Sequence, residues 1–411
     1  MAPPLRFVLA GTLAVSALSG CNPDTTGTSS GAPAASGTAA LIEADEDEAV
    51  DAGSQQKGAA KAAGERVEIP AGKLVAGSVP GDRGRDPALE PALLEVELGA
   101  FSIDKLPHPN DPARAPTTGV SRDKAASLCG EAGGRLCTEL EWERACRGPE
   151  GTRYAGGAKW EPECAKSPET CASAFGVLAM GGAIREWTSS DVDPIKNLIK
   201  GGAAVRGAGA DAADVDHRCA HRSVVNVAAT ESNLGFRCCY GDPSPAKIAS
   251  PDWEDTIKRV EISTEKLTEL FASNPRLAPY AKDIKYFREE AAEDTIMRRG
   301  RARGTDAGAL PENTYLTTSP VMWNPVPGEH VLLVVGRSGE KDAFIVAFHE
   351  VPGGRYRVGS ALLMKDEVGP VAIVYNPFVR RKLHWTSCWE CYGETGNITY
   401  REENRVVITQ Q

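Results

Sequence analysis

The sequence predicts an α+β protein in which a disulfide-rich part with little regular structure precedes a helical segment and an antiparallel β domain. Eight of the eleven cysteines fall between residues 129 and 239, where short runs of helix-like or strand-like sequence are separated by Gly and Pro. After residue 330 the apolar residues follow the two-residue period of β-strands, with turn residues between the runs. The predicted boundaries are residues 65–242, 252–304 and 312–411.

Composition limits the class of the protein and of its partners. Hydrophobic residues make up 41% of the 411 residues and charged residues 25%, which excludes collagen, a coiled coil and a bulk membrane protein. The net charge is −10. Because a phosphate backbone is bound by a basic stripe, this charge predicts that nucleic acid is not a partner.

The N-terminus has the features of an export signal. Arg6 precedes an apolar run over residues 7–18 that is too short to span a bilayer. The sequence LSGC at residues 18–21 resembles the lipobox of bacterial lipoprotein precursors, in which the cysteine becomes the lipidated first residue. The resemblance implies a signal peptide over residues 1–20 and a membrane anchor on Cys21, and an ordinary secretory signal is the alternative. Asn22 follows, which in this analogy favours the outer membrane, facing the periplasm or the surface.

Residues 21–64 are predicted to be a disordered tether. They are mostly Gly, Ala, Ser, Thr, Asp and Glu, and a segment with so little aliphatic bulk cannot bury enough apolar surface to fold. The acidic tract at residues 43–48 is interpreted as part of this solvated spacer.

The cysteines after Cys21 are expected to be oxidised in an exported protein. Eight is an even number that suits four disulfides, and spacing alone leaves their connectivity open. Zinc is the alternative for such density, but no two CxxC or HxxxH units have the spacing of a zinc finger. Capping residues also predict two helices in this part, one starting after Ser121 and one after Thr138, whose partner in a capping box is Glu141.

Seven motifs in this part occur in a fixed order: IPAGK with GS at 69–78, FSIDK at 101–105, GGRLCTELEWERACRG at 133–148, GGAIREWTSS at 181–190, KGGAA at 200–204, RCAHRS at 218–223 and NLGFRCC at 233–239. Together they resemble the sulfatase-modifying factor family, whose best-known member is the formylglycine-generating enzyme. The resemblance implies a variant of the C-type lectin fold with little helix or strand. It also implies the disulfides Cys146–Cys219 and Cys129–Cys238. The cysteines that remain are then assigned to the pairs Cys137–Cys239 and Cys164–Cys171.

The family's oxidase chemistry is expected to be missing. The resemblance implies that a copper-binding thiolate pair should lie between the KGG and RCAxRS motifs, yet residues 201–218 contain no cysteine. A cuprous ion needs soft sulfur ligands, so copper is disfavoured as a cofactor. Calcium stays open, because Ala183 replaces an Asn that often serves as a ligand in the family, whereas Glu186 still offers oxygens.

A cluster of acids and histidines in the same stretch is the candidate ligand pocket. Its members, which would attract a cation or a basic peptide, are Asp211, Asp214, Asp216, His217 and His221. The alternatives are a solvated acidic loop and a metal held by the two histidines, which are four residues apart.

The C-terminal third predicts helices near residues 263–273 and 278–301, then five to seven strands. The basic run at 298–303 is interpreted as a solvated helix end, with anionic lipid contact as the alternative. Cys388 and Cys391 are predicted to form a structural disulfide within β-type sequence. A thioredoxin-like redox pair and a zinc site that adds His384 are the alternatives.

The sequence thus predicts an exported, lipid-anchored protein that acts as a binding or structural module at the cell envelope. Its ligand would be a protein, a peptide or a glycan. The alternative is an active formylglycine-generating (sulfatase-modifying) enzyme or a related metal-dependent oxidase.

Overall fold

The computed structural model describes residues 40–43, 64–196, 198–305, 308–379 and 382–411. All of them belong to one unit that spans Gly37–Gln411. The predicted signal peptide and Cys21 lie outside the described residues. Within them, none of the helices combines the length and the apolar character that crossing a bilayer requires.

The first part of the chain consists of short strands and small helices. After β1 (Ala40–Glu43), its elements are β2 (Arg66–Ile69), β3 (Gly72–Ala76), β4 (Leu94–Leu98), β5 (Phe101–Asp104), α1 (Arg122–Glu131), β6 (Arg135–Leu136), α2 (Glu139–Arg147), α3 (Glu163–Lys166), β7 (Arg185–Val192), β8 (Gly202–Arg206), β9 (Arg222–Val225), β10 (Leu234–Phe236) and β11 (Cys238–Tyr240). They form two four-stranded sheets, in the orders β10-β7-β8-β9 and β2-β5-β11-β6, and the pair β3-β4.

Local capping explains where the two main helices begin. The Ser121 side chain accepts a hydrogen bond from the amide of Lys124, which satisfies one free N–H at the start of α1. At the start of α2 the Thr138 hydroxyl accepts from the Glu141 amide at 3.2 Å, and the Glu141 carboxylate accepts from the Thr138 amide at 2.8 Å. The predicted capping box is therefore confirmed.

Two adjacent cysteines on β11 connect two separate hydrophobic cores. Successive side chains of a strand point to opposite faces, so Cys238 and Cys239 reach different elements. Cys238 bonds to Cys129 of α1 in the core around Trp187, and Cys239 bonds to Cys137 in the core around Trp142. The remaining disulfides are Cys146–Cys219, Cys164–Cys171 and Cys388–Cys391. These five pairs are the ones expected from the sequence.

The second part of the chain contains two antiparallel sheets and two helices. Its elements are β12 (Ile257–Arg259), α4 (Thr264–Ala272), β13 (Ile284–Lys285), α5 (Glu289–Ala302), β14 (Tyr315–Thr317), β15 (Val321–Trp323), β16 (Val331–Ser338), β17 (Asp342–Val351), β18 (Arg355–Met364), β19 (Ala372–Tyr375), β20 (Lys382–Thr386), β21 (Thr395–Arg401) and β22 (Arg405–Gln410). One sheet has the order β1-β18-β17-β16-β15-β12 with β13 on β16, and the other has the order β14-β19-β20-β21-β22. With few helices and many antiparallel strands, the α+β class is confirmed.

The two sheets pack face to face, and helices cover their outer faces. Val335 and Ile345 of the larger sheet share one core with Ile373 and Trp385 of the smaller sheet. On the other side of the larger sheet, Phe344 and its neighbours pack against α4. Because β16 and β17 are buried on both faces, the sequence VLLVV at 331–335 is a continuous apolar run and does not alternate.

Two elements differ from the sequence-based expectations. The second predicted helix begins only at α5, because residues 278–288 form a short 3₁₀ turn and β13. In the predicted tether, β1 pairs with β18, so these four residues are an edge strand rather than free spacer. Their sequence, ALIE, contains two large aliphatic residues in an otherwise small and polar segment.

A bridging loop, residues 77–93 between β3 and β4, contacts both parts of the chain. Arg85 forms an ion pair with Glu329 at 2.6 Å, and both side chains are buried. The same carboxylate lies 2.6 Å from Nδ1 of His349. A Cβ atom on Gly81, whose φ is +84°, would lie 2.6 Å from the His349 ring. The loop therefore fits against the β domain without space for a side chain.

We expect Arg85→Ala to lower the free energy of unfolding by about 3–5 kcal/mol, because it leaves the Glu329 carboxylate buried without its guanidinium partner. Urea denaturation followed by circular dichroism would measure this change. The control is Arg405→Ala, which removes an exposed ion pair with Glu403 and should cost at most about 1 kcal/mol. Equal losses in the two variants would contradict a stabilising role for the buried pair.

Candidate functional site

The β8–β9 loop, residues 207–221, is where the family resemblance implies a catalytic thiolate pair. Its residues 214–217 form a 3₁₀ turn, and Cys219 at its end is bonded to Cys146 of α2. All ten cysteines in the described part of the chain are in disulfides. No thiol in these residues is free to bind copper.

The structure does not gather the five residues of the predicted ligand pocket. Asp211 and Asp214 are exposed. His217 is buried, stacks on Trp160 with 3.9 Å between ring centroids, and places Nδ1 at 2.6 Å from the Gly181 carbonyl oxygen. The expected five-residue cluster is therefore wrong for His217, because its ring packs into the domain instead of facing the acids.

Asp216 and His221 are the two predicted residues that meet. Asp216 Oδ1 lies 3.8 Å from His221 Nδ1. Burial lowers the pKa of His221 below its ordinary value, and Arg218 and Arg206 lower it further, against the opposite effects of Glu90 and Asp216. The imidazole is thus held towards its neutral form.

Glu90 of the bridging loop closes one side of this site. Its two carboxylate oxygens accept from Arg218 at 2.7 and 2.9 Å, and one also accepts from the Ser78 hydroxyl. Burial by itself raises the pKa of Glu90, but the Arg218 guanidinium and the hydroxyl of Ser78 more than offset this effect and lower it. Next to it, a Cβ on Gly84 would lie 2.5 Å from Val215, so the bridging loop packs directly on the β8–β9 loop.

A buried network of charges on α2 was missed by the sequence reasoning. Glu139 accepts from Arg222 at 2.6 and 2.8 Å, and Glu143 pairs with Arg206 at 3.0 Å and with Arg147 at 2.8 Å. The available signal was the spacing of Glu139, Glu143 and Arg147, which are four residues apart on one helix face. The acids of the GGRLCTELEWERACRG motif therefore bind arginines.

Glu186 is also occupied by an arginine. Its carboxylate accepts from Arg237 at 2.6 and 2.7 Å and from the Trp142 indole N–H at 3.0 Å, and all three side chains are buried. This geometry contradicts the expectation of a calcium ligand, since a guanidinium already fills the position of the cation. Among the residues that the structure describes, no group of three or more His, Cys, Asp or Glu side chains is arranged to hold a metal ion.

The cysteine pair and the basic run of the C-terminal third both make structural contacts. Cys388 and Cys391 are bonded to each other, so they do not form a zinc site with His384. In the basic run at 298–303, Arg299 donates to the carbonyl oxygens of Ser387 and Gly369. This arginine therefore fastens α5 to the β domain instead of projecting into solvent.

Comparison with known proteins finds similarity over the first part of the chain. Residues 104–240 match the family model described as Sulfatase-modifying factor enzyme 1-like domain. The Serine/threonine-protein kinase pkn1 of Chlamydia caviae is 30% identical over 151 residues, which cover 31% of this chain and 24% of that protein. This chain therefore spans about a quarter of the length of that relative.

Two solved structures are similar at low sequence identity. PvdO from Pseudomonas aeruginosa is 17% identical with a TM-score of 0.36, and the match covers 46% of this chain and 99% of that one. Treponema denticola variable protein 1 is 15% identical with a TM-score of 0.33, and that match covers 43% and 94% of the two chains.

We expect the stability of the protein to fall as the pH drops through the ordinary pKa of histidine, about 6.5. The lowered pKa of His221 means that the unfolded chain takes up this proton first. The contribution of His221 is thus complete above about pH 6.5 and is lost as the pH falls towards the folded-state pKa. Urea denaturation at a series of pH values would measure the slope.

The variant His221→Gln should flatten this slope, leaving a part due to His108, whose pKa burial also lowers. The exposed His330, which lies beside Glu350, provides the control substitution His330→Gln, and the wild-type slope should persist there. An unchanged slope in His221→Gln would contradict the assignment.

Proposed function

We propose, on the premise that residues 104–240 are a sulfatase-modifying factor enzyme 1-like domain, that this domain serves as a binding or structural module and lacks oxidase activity. The observation that carries the proposal is the state of the cysteines. The β8–β9 loop contains none before Cys219, and Cys219 is in a disulfide. A sulfur atom in a disulfide is not the thiolate that a cuprous ion requires.

The charged residues of the family-like motifs support the same proposal. Glu139, Glu143 and Glu186 are buried, and arginines bind each of them. Burial of paired charges in this way fixes the positions of elements, and it engages these three carboxylates with arginines. Their role in maintaining the fold therefore accounts for the acids of these motifs without any catalytic function.

We further propose that the protein is exported and anchored at the cell envelope through lipid on Cys21. The support is the LSGC sequence after a short apolar run. Each buried CH₂ of an acyl chain contributes about 0.8 kcal/mol, so two or three chains hold a folded body at a membrane without a spanning helix. The outer membrane is the favoured location, and the partner is a protein, a peptide or a glycan.

The oxidase test uses the full-length protein incubated with copper and a sulfatase-type cysteine peptide. Mass spectrometry then measures conversion of the thiol to an aldehyde. We expect no product above the level without protein, because the described residues offer no thiolate pair. A copper-loaded formylglycine-generating enzyme on the same peptide is the positive control. Multiple turnovers by this protein would overturn the proposal.

The anchoring test compares the wild-type protein with Cys21→Ser in cells given a labelled fatty acid. We expect the wild-type protein to carry the label and to be recovered in the membrane fraction. The variant should show neither property, because the thiol of Cys21 is the attachment point of the lipid. Ser29→Ala, a substitution in the following segment, is the control and should behave like the wild type. Equal labelling of Cys21→Ser and the wild type would exclude the lipid anchor.

A further inference from the structure

A cleft of about 520 Å³ lies on the smaller sheet of the β domain. Its residues come from the ends of β14, β19, β20, β21 and β22 and from the loop closed by the Cys388–Cys391 disulfide. The described residues that the argument uses are Tyr375, Asn376, Trp389, Glu390, Tyr392 and Thr395. A cleft of this size is in the usual range for small-molecule sites.

One wall of the cleft is held in place from behind. The disulfide closes the loop that carries Trp389, and the Trp389 amide donates to the Ile296 carbonyl oxygen of α5 at 3.2 Å. Its carbonyl oxygen accepts from the Thr305 hydroxyl at 3.4 Å, and its ring packs beside Ile296. The wall is therefore formed before any ligand arrives, which lowers the entropic cost of binding.

Aromatic rings line the cleft. Tyr392 is 92% exposed, so packing within the protein does not account for it. Tyr375 is held by stacking on Tyr315, with 5.5 Å between the ring centroids. An exposed tyrosine offers a flat apolar face and a hydroxyl at low conformational cost, which suits a ligand with both apolar and polar edges.

The polar groups of the cleft include both hydrogen-bond donors, such as the Asn376 amide and the Tyr392 hydroxyl, and acceptors. The Thr395 hydroxyl donates to the Trp385 carbonyl oxygen at 3.0 Å, and the Thr386 hydroxyl donates to the Cys388 carbonyl oxygen at 2.8 Å. The Thr395 hydroxyl therefore offers lone pairs to a ligand, whereas the buried Thr386 hydroxyl also accepts from the Cys388 amide and serves the loop. The exposed Glu390 adds a carboxylate, which also accepts.

We propose that this cleft binds a neutral glycan. The hydroxyls of a sugar both donate and accept, which matches the mixed polar groups of the cleft, and its C–H faces match the rings of Tyr392 and Trp389. The exposed carboxylate of Glu390 repels a phosphate or another anion, which favours a neutral ligand. The inference concerns the β domain and does not depend on the absence of oxidase activity in residues 104–240.

The test measures binding of maltohexaose, cellohexaose and chitohexaose to the full-length protein by isothermal titration calorimetry. We expect at least one of these glycans to bind. Tyr392→Ala should weaken that affinity about tenfold, as loss of a central aromatic contact does. Glu390→Gln should also weaken it, because an amide is a poorer acceptor than a carboxylate.

The exposure of Tyr392 keeps the test interpretable, since its truncation should leave the melting temperature unchanged. Leu198→Ala, an exposed apolar truncation in the first domain, is the control and should bind like the wild type. The proposal is overturned if no glycan binds or if both cleft variants retain wild-type affinity. Binding of decaproline, or self-association, that Tyr392→Ala abolishes without any glycan binding would instead assign the cleft to a peptide or to a second copy.

Discussion

The first domain depends on the two disulfides that leave β11 in opposite directions. A strand of three residues contributes few hydrogen bonds, and its neighbours in the sheet, β5 and β6, have only four and two residues. The disulfides of Cys238 and Cys239 therefore connect β11 to two hydrophobic cores, one on each face of the strand, which its few backbone hydrogen bonds could not hold together. Covalent links of this kind stabilise mainly by restricting the unfolded chain, with larger effects for longer loops. The separations of 109 and 102 residues place both links among the long ones.

Sequence reasoning predicted the features that local or covalent chemistry determines. The Thr138 and Glu141 capping box is one example, because its two residues are three positions apart and bond to each other. The ion pair of Arg85 with Glu329 is the opposite case, since its partners are 244 residues apart. The sequence contains many arginines and acids, and nothing in their spacing indicates which ones meet. The run at 331–335 was predicted to be a strand and is part of β16, although burial on both faces removes the expected alternation.

The candidate site shows the same division. The absence of cysteine from residues 201–218 could be predicted directly, because it is read from the sequence without any geometry. The arrangement of His217 could not, since it depends on Trp160 from a distant segment. Among the five residues of the expected cluster, Asp216 and His221 are the pair that comes together. The cleft near Trp389 was also hidden, because its wall is formed by contacts between α5 and the disulfide loop.

The bridging loop has a consequence for how the molecule presents its two surfaces. At one end Glu90 is neutralised by Arg218, and at the other end Arg85 is neutralised by Glu329, with water excluded from both pairs. Movement of one part of the chain relative to the other would separate these charges from their partners while they are still buried away from water, which is energetically costly. The bridging loop therefore acts as a rigid splice between the two parts of the chain, because displacing it would break a desolvated ion pair at each end.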